Sequence, residues 1–160
     1  MKNDRPPSSL IRVIGLGNGL RGDDAAGLLA ARQVRQIIGG RAEVIEAEMA
    51  GVDLIELMKS AYAVILIDAA RSGQASGTVH RLDASAGPIG CQIFPRSSHA
   101  IGMVDALELA RAMGVLPPKV IVYGIEAGNT EAGQPLSSPV AKAVDQVVDQ
   151  VIQECEAHYA

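Results

Sequence analysis

Four side chains stand where their types and spacing could support chemistry. Asp23 and Asp24 follow the glycine-rich stretch GLGNGLRG at positions 15–22, Asp68 closes the apolar run at 63–67, and His99 follows Ser97 and Ser98. Asp24, Asp68 and His99 together offer two carboxylates and an imidazole from three segments. That is an O,O,N set suited to a divalent transition metal, and three protein ligands leave coordination positions open, as catalytic sites require. The same trio would equally serve as a general base with its orienting partners. Read as the first turn of a helix capped by Ser98, position 99 disfavours an imidazolium. A neutral imidazole there can bind a metal or accept a proton. Plainer roles compete: Asp23 and Asp24 as helix caps, Asp68 as a turn residue, His99 as an exposed loop histidine. One capping acid is enough, so capping explains one of the pair better than both. The segment LIDAARSG has its glycine five residues after Asp68, so a tight turn is not the evident need there.

Other chemistries fit less well. The loop at 15–22 could belong to a nucleotide-binding module, but GxGxxG fails at Leu20, a Walker lysine is missing, and two adjacent acids would repel a pyrophosphate. No GxSxG is present. Cys91 has no evident base close in sequence, and Cys155 reads as a packing residue. His80, in mid-strand, and His158, in the tail, have no partners of this kind nearby in sequence.

These residues need a scaffold, and the hydrophobic pattern describes one. Strands are expected at 10–16, 42–45, 63–67, 77–82 and 120–125, with helices at 24–38, 52–58, 99–113 and 137–155. The 77–82 segment alternates polar and apolar residues and reads as an edge strand, possible in antiparallel pairing. Residues 85–98 form a loop rich in Gly, Pro and Ser. The alternation β-α-β-α-β-β-α-β-α predicts an α/β fold: a single three-layer domain with a mostly parallel five-stranded sheet and helices on both faces. Ligands of such sheets sit outside the carboxyl ends of the strands, which is where Asp24 and Asp68 would lie. The expected domain covers 10–156, after a flexible segment at 1–9.

Composition agrees. The 160 residues suit one domain. Hydrophobic residues make up 48% and aromatics 2%, so the core must be aliphatic, as in a parallel sheet buried on both faces. A net charge of −4 with few aromatics gives neither a phosphate-neutralising surface nor a base-stacking platform, which argues against nucleic acid. The apolar runs are too short to span a bilayer, the polar N-terminus does not read as a signal peptide, and two unframed cysteines suit a reducing cytoplasm.

Taken together, the segments resemble the hydrogenase maturation endopeptidases, small α/β proteases that remove a C-terminal extension from the large subunit of nickel–iron hydrogenases. The likeness runs from about residue 10 to 154. It includes VIGLGNGLRGDDAAG at 13–27, LIDA at 66–69, SGT at 76–78, SSHAIGMVDALELA at 97–110 and the closing VYGIEAG and PLSSPVAKAV. The combination of GNxLxxDD, a strand-end Asp and SxH carries the specificity. The resemblance implies that Asp24, Asp68 and His99 contact nickel and act in catalysis. The nickel would be supplied by the substrate, a hydrogenase large-subunit precursor, with no cofactor permanently bound to a monomeric enzyme. One departure stands out: where the family often has an Asp-Gly-Gly-Thr-like loop, this chain has Glu46-Ala47-Glu48-Met49-Ala50-Gly51. That loop is expected to face the substrate, and Glu46 and Glu48 to add negative charge at the same rim. A nickel-binding chaperone without protease activity is the alternative that the same trio allows.

Overall fold

Continuous apolar stretches form the inner strands because both sheet faces are covered. In the computed structural model, which describes residues 9–48, 50–90, 93–94 and 102–158, the strands are β1 Ile11–Gly17, β2 Glu43–Glu48, β3 Ala63–Ala70, β4 Val79–Asp83 and β5 Lys119–Glu126. The helices are α1 Ala26–Ile38, α2 Asp53–Met58, α3 Met103–Ala112 and α4 Ser138–His158; one 3-10 turn, Gly22–Ala25, leads into α1 and another, Gly39–Arg41, follows it. The sheet order is β2-β1-β3-β5-β4. All pairs are parallel except β4 with β5, which is antiparallel. The expected α/β class, element order and antiparallel edge strand are therefore found.

Period-two alternation divides the strand side chains between two cores. Ile11, Val13, Ile65, Ile67, Ile121 and Tyr123 face α1 and α4; Ile14, Leu16, Val64, Leu66, Val120 and Val122 face α2 and α3. The third layer is thus built as the pattern predicted. No described helix is long and apolar enough to cross a membrane.

Several boundaries move. The first helix begins at Ala26 rather than 24, because Gly22–Ala25 winds as a 3-10 turn. β2 continues to Glu48, so Glu46, Ala47 and Glu48 belong to a strand rather than to a loop. β3 runs two residues past Asp68, paired with β5 as far as Ala70–Glu126, so Asp68 lies within a strand. α3 begins at Met103 after an extended Gly102, and its expected cap, Ser98, lies outside the described residues. For β2 and β3 the reason is pairing with a neighbouring strand, which overrides the local pattern.

The seam between α1 and the sheet is unusually close. A Cβ on Gly27 would lie 2.2 Å from the Ile67 carbonyl oxygen and 2.3 Å from that of Leu16, and one on Gly15 would lie 2.3 Å from the Gly27 carbonyl oxygen. These contacts are with backbone and cannot be relieved by turning a side chain. Gly27→Ala is expected to lower the thermal midpoint by roughly 5–10 °C as α1 is pushed off β1 and β3. Gly40→Ala, where nothing lies within 4 Å of the new Cβ, should leave the midpoint near wild type when unfolding is followed by circular dichroism.

Candidate active site

The order β2-β1-β3 means that the chain leaves β1 in one direction and returns to β3 on its other side. Parallel crossovers then open a crevice above the carboxyl ends of β1 and β3, the switch point where α/β sheets bind ligands. Asp24 follows β1 in the 3-10 turn, and Asp68 lies near the carboxyl end of β3. The fold brings both to this one crevice, near enough for the Asp24 charge to act on Asp68. His99 lies outside the described residues. α3, which begins four positions after it, packs on the sheet face that carries Leu66 and Ala70, the parity of Asp68.

The loop before Asp24 closes on itself. The Asn18 N–H donates to the Asp24 carbonyl at 3.1 Å, the Asp24 N–H to the Arg21 carbonyl at 3.0 Å, and the Leu20 N–H to Asn18 Oδ1 at 3.0 Å. The glycines of the stretch serve this packing. A Cβ at Gly17, which has φ +142°, would meet the Asp24 carbonyl oxygen at 2.1 Å, and one at Gly22 would meet that of Asn129 at 2.4 Å. They accommodate the chain's own backbone, and this weakens the nucleotide-loop reading.

Asp68 lies opposite Gly124 of β5, and the Phe94 ring takes the space a side chain at 124 would fill. Burial pushes the Asp68 carboxyl up to about 7, partly offset by the Ala69 N–H bonded to its Oδ1 at 2.8 Å, with the Asp24 charge pushing it further up. Burial also raises Asp24, against the pull of Arg71, Arg21 and the Asn18 N–H. A carboxyl poised near neutrality can take up and release a proton at working pH.

Asp23 has a different task. It is fully buried, and its carboxylate accepts bonds from the N–H groups of Gly128, Asn129 and Ser137 at 2.8, 2.8 and 2.7 Å and from the Ser137 hydroxyl at 2.8 Å. Burial alone would raise this carboxyl; the donors outweigh it and leave it below the ordinary range. No side-chain cap bond is made at the 3-10 turn or at α1, so Asp23 and Asp24 are not helix caps. Sequence reasoning could not see this role, because the partners lie 105–114 residues away.

Two further groups gain partners from distant parts of the chain, and one of these corrects the expectation that Glu46 adds negative charge at the rim. His80, without a partner nearby in sequence, meets one in space: its Nε2 lies 3.2 Å from Oε1 of Glu126, the other buried charged side chain among the described residues. Glu126 also accepts bonds from the Ser72 hydroxyl and from its N–H at 2.9 and 3.0 Å. Glu46 adds no net negative charge, because Arg32 and Arg35 on α1 bind it at 2.7 and 2.6 Å and hold its carboxyl low. Glu48 stays exposed at the end of β2 beside Gly19.

Known proteins share this architecture. A family model described as hydrogenase maturation protease (HycI) matches residues 29–154. The hydrogenase 2 maturation protease of Escherichia coli (strain K12) is 31% identical over 120 residues, 72% of this chain and 71% of that protein. The hydrogenase expression/formation protein HupD of Thiocapsa roseopersicina is 24% identical over 118 residues, covering 72% of this chain and 53% of its own length, so the chain spans about half of that relative. Among solved structures, the hydrogenase maturating endopeptidase HybD from E. coli superposes with a TM-score of 0.78 at 26% identity, covering 92% of this chain and 93% of that one.

Stability should report the two aspartates differently. Asp23→Ala leaves backbone donors buried without an acceptor and should cost about 3 kcal/mol in denaturant unfolding. For Asp68 the raised folded-state pKa means that its contribution is full below the unfolded value of 3.8 and is lost as pH rises through about 7. Asp68→Asn should therefore melt at or above wild type at pH 8, with the advantage shrinking toward pH 4. A variant that melts well below wild type at pH 8 would make Asp68 a structural residue.

Proposed function

The chain belongs to the hydrogenase maturation protease family, and we propose that it is an endopeptidase that removes a C-terminal peptide from the nickel-loaded large-subunit precursor of a nickel–iron hydrogenase. Asp24, Asp68 and His99 dock on the nickel, which arrives as part of the substrate, and this brings the scissile bond to the crevice between β1 and β3. The observation that carries the reading is the pair of coupled carboxyls at the switch point, with Asp68 titrating near 7.

The chemistry follows from that titration. Ionised Asp68 takes a proton from water as the oxygen attacks the scissile carbonyl carbon. The tetrahedral intermediate collapses, the C–N bond breaks, and the proton passes to the departing amine. The products are a new carboxyl terminus on the large subunit and the freed peptide. Asp24, Asp68 and His99 also provide oxygen and nitrogen donors for nickel's open positions. α3 on the Asp68 side of the sheet supports including His99.

Mass analysis of a nickel-loaded precursor before and after incubation tests the reading. A loss of mass equal to a C-terminal peptide is expected. An unchanged precursor that keeps its nickel while bound would favour a chaperone instead. Asp68→Asn, which keeps the shape and loses the base, should slow cleavage by about 100-fold or more. Since the ionised form is the active one and nickel arrives only with the substrate, kcat/KM, which follows the free enzyme, should rise with pH through about 7 and level off above it. A flat profile between pH 5 and 8 would remove Asp68 from proton transfer.

A further inference from the structure

The buried carboxylates Asp23 and Glu126 both hold loops, and the two loops meet at one exposed guanidinium. Ser72, fixed by Glu126, follows Arg71, whose own N–H donates to the Ile93 carbonyl at 2.8 Å. Asp23 fixes Gly128 and Asn129, which lead into Thr130. The Arg71 Nη2 donates to the Thr130 hydroxyl at 2.6 Å, joining the two. Arg12, Arg32, Arg35, Arg41, Arg81 and Arg111 each form an ion pair with a carboxylate. Among the described residues none lies within ion-pair distance of Arg71, although it is exposed and beside Asp24.

We propose that Arg71 is a specificity-determining residue that grips a carboxylate of the precursor polypeptide at the rim of the Asp24–Asp68 crevice, an inference that rests on the protease reading above. Holding an exposed arginine in place costs side-chain entropy, and here anchors at both ends of the residue hold it. A guanidinium carries five N–H donors in a planar fork. Thr130 occupies part of one nitrogen and leaves a fork free for the two oxygens of a carboxylate. Arg71 lies three residues beyond Asp68, so a bound carboxylate would fix the polypeptide next to the reacting bond. Either an acidic side chain or the chain's C-terminal carboxylate supplies this group.

The test follows the Arg71 Nε–Hε resonance of the whole protein during titration with three peptides: Ala-Ala-Ala, its C-terminal amide, and acetyl-Ala-Glu-Ala-amide. A saturable shift with a carboxylate peptide and none with Ala-Ala-Ala-amide is expected. Response to Ala-Ala-Ala alone assigns the C-terminal carboxylate, and response to the glutamate peptide assigns an acidic side chain. On a precursor that wild type cuts, Arg71→Gln should raise KM about tenfold and leave kcat within about twofold. Arg71→Lys, which keeps the charge without the fork, should recover only part of the loss. The proposal is overturned if no carboxylate peptide moves Arg71, or if Arg71→Gln cuts with wild-type KM. Failure of wild type to cut any precursor would sink the protease reading alone, since the titration decides Arg71 without cleavage.

Discussion

A carboxylate sealed from water must be met by donors, and the geometry of this site follows from how Asp23 meets that demand. Its two oxygens collect four bonds from the segment between β5 and α4. An ionised group without them would cost several kcal/mol to bury. With them, the 3-10 turn after β1 is tied to a loop more than a hundred residues away in sequence. Asp24, the next residue, is thereby held over the crevice, and Thr130 is brought to face Arg71.

Neighbouring acids therefore have opposite electrostatics for a structural reason. Asp23 is more deeply buried than Asp24, yet its carboxyl is lowered while that of Asp24 is raised. Burial alone does not decide a carboxyl's charge; the number of donors pointed at it does. Asp23 has four, whereas Asp68 has one N–H against its burial and a second acid nearby. The folded chain thus keeps one carboxylate firmly ionised and holds another near neutrality.

The glycines carry a related constraint. Gly15 and Gly27 let α1 approach β1 and β3 within side-chain-free distance, and Gly17 and Gly22 let the intervening loop fold back on Asp24 and Asn129. A glycine-rich turn after a first strand invites a phosphate reading from sequence. Here the backbone surfaces it exposes are covered by the chain itself, and the turn's use is to bring acids to the switch point.

The sequence by itself determined the layered α/β fold. A five-residue apolar run such as 63–67 is short for a helix and fits a buried strand, the alternation in 77–82 matches the antiparallel edge strand β4, and the helical faces of α1 and α4 are local repeats. It also marked Asp24 and Asp68, because acids at strand ends of such a fold gather on one rim. Tertiary structure alone decided where β2 and β3 stop, since pairing with a neighbour carried both past their local signals. It decided that Asp23 is a clip rather than a cap, that His80 meets Glu126, and that Glu46 is neutralised by Arg32 and Arg35. Periodicity is written within a few residues, whereas a buried charge is satisfied by whichever donors folding brings near, and their distance along the chain leaves no local trace.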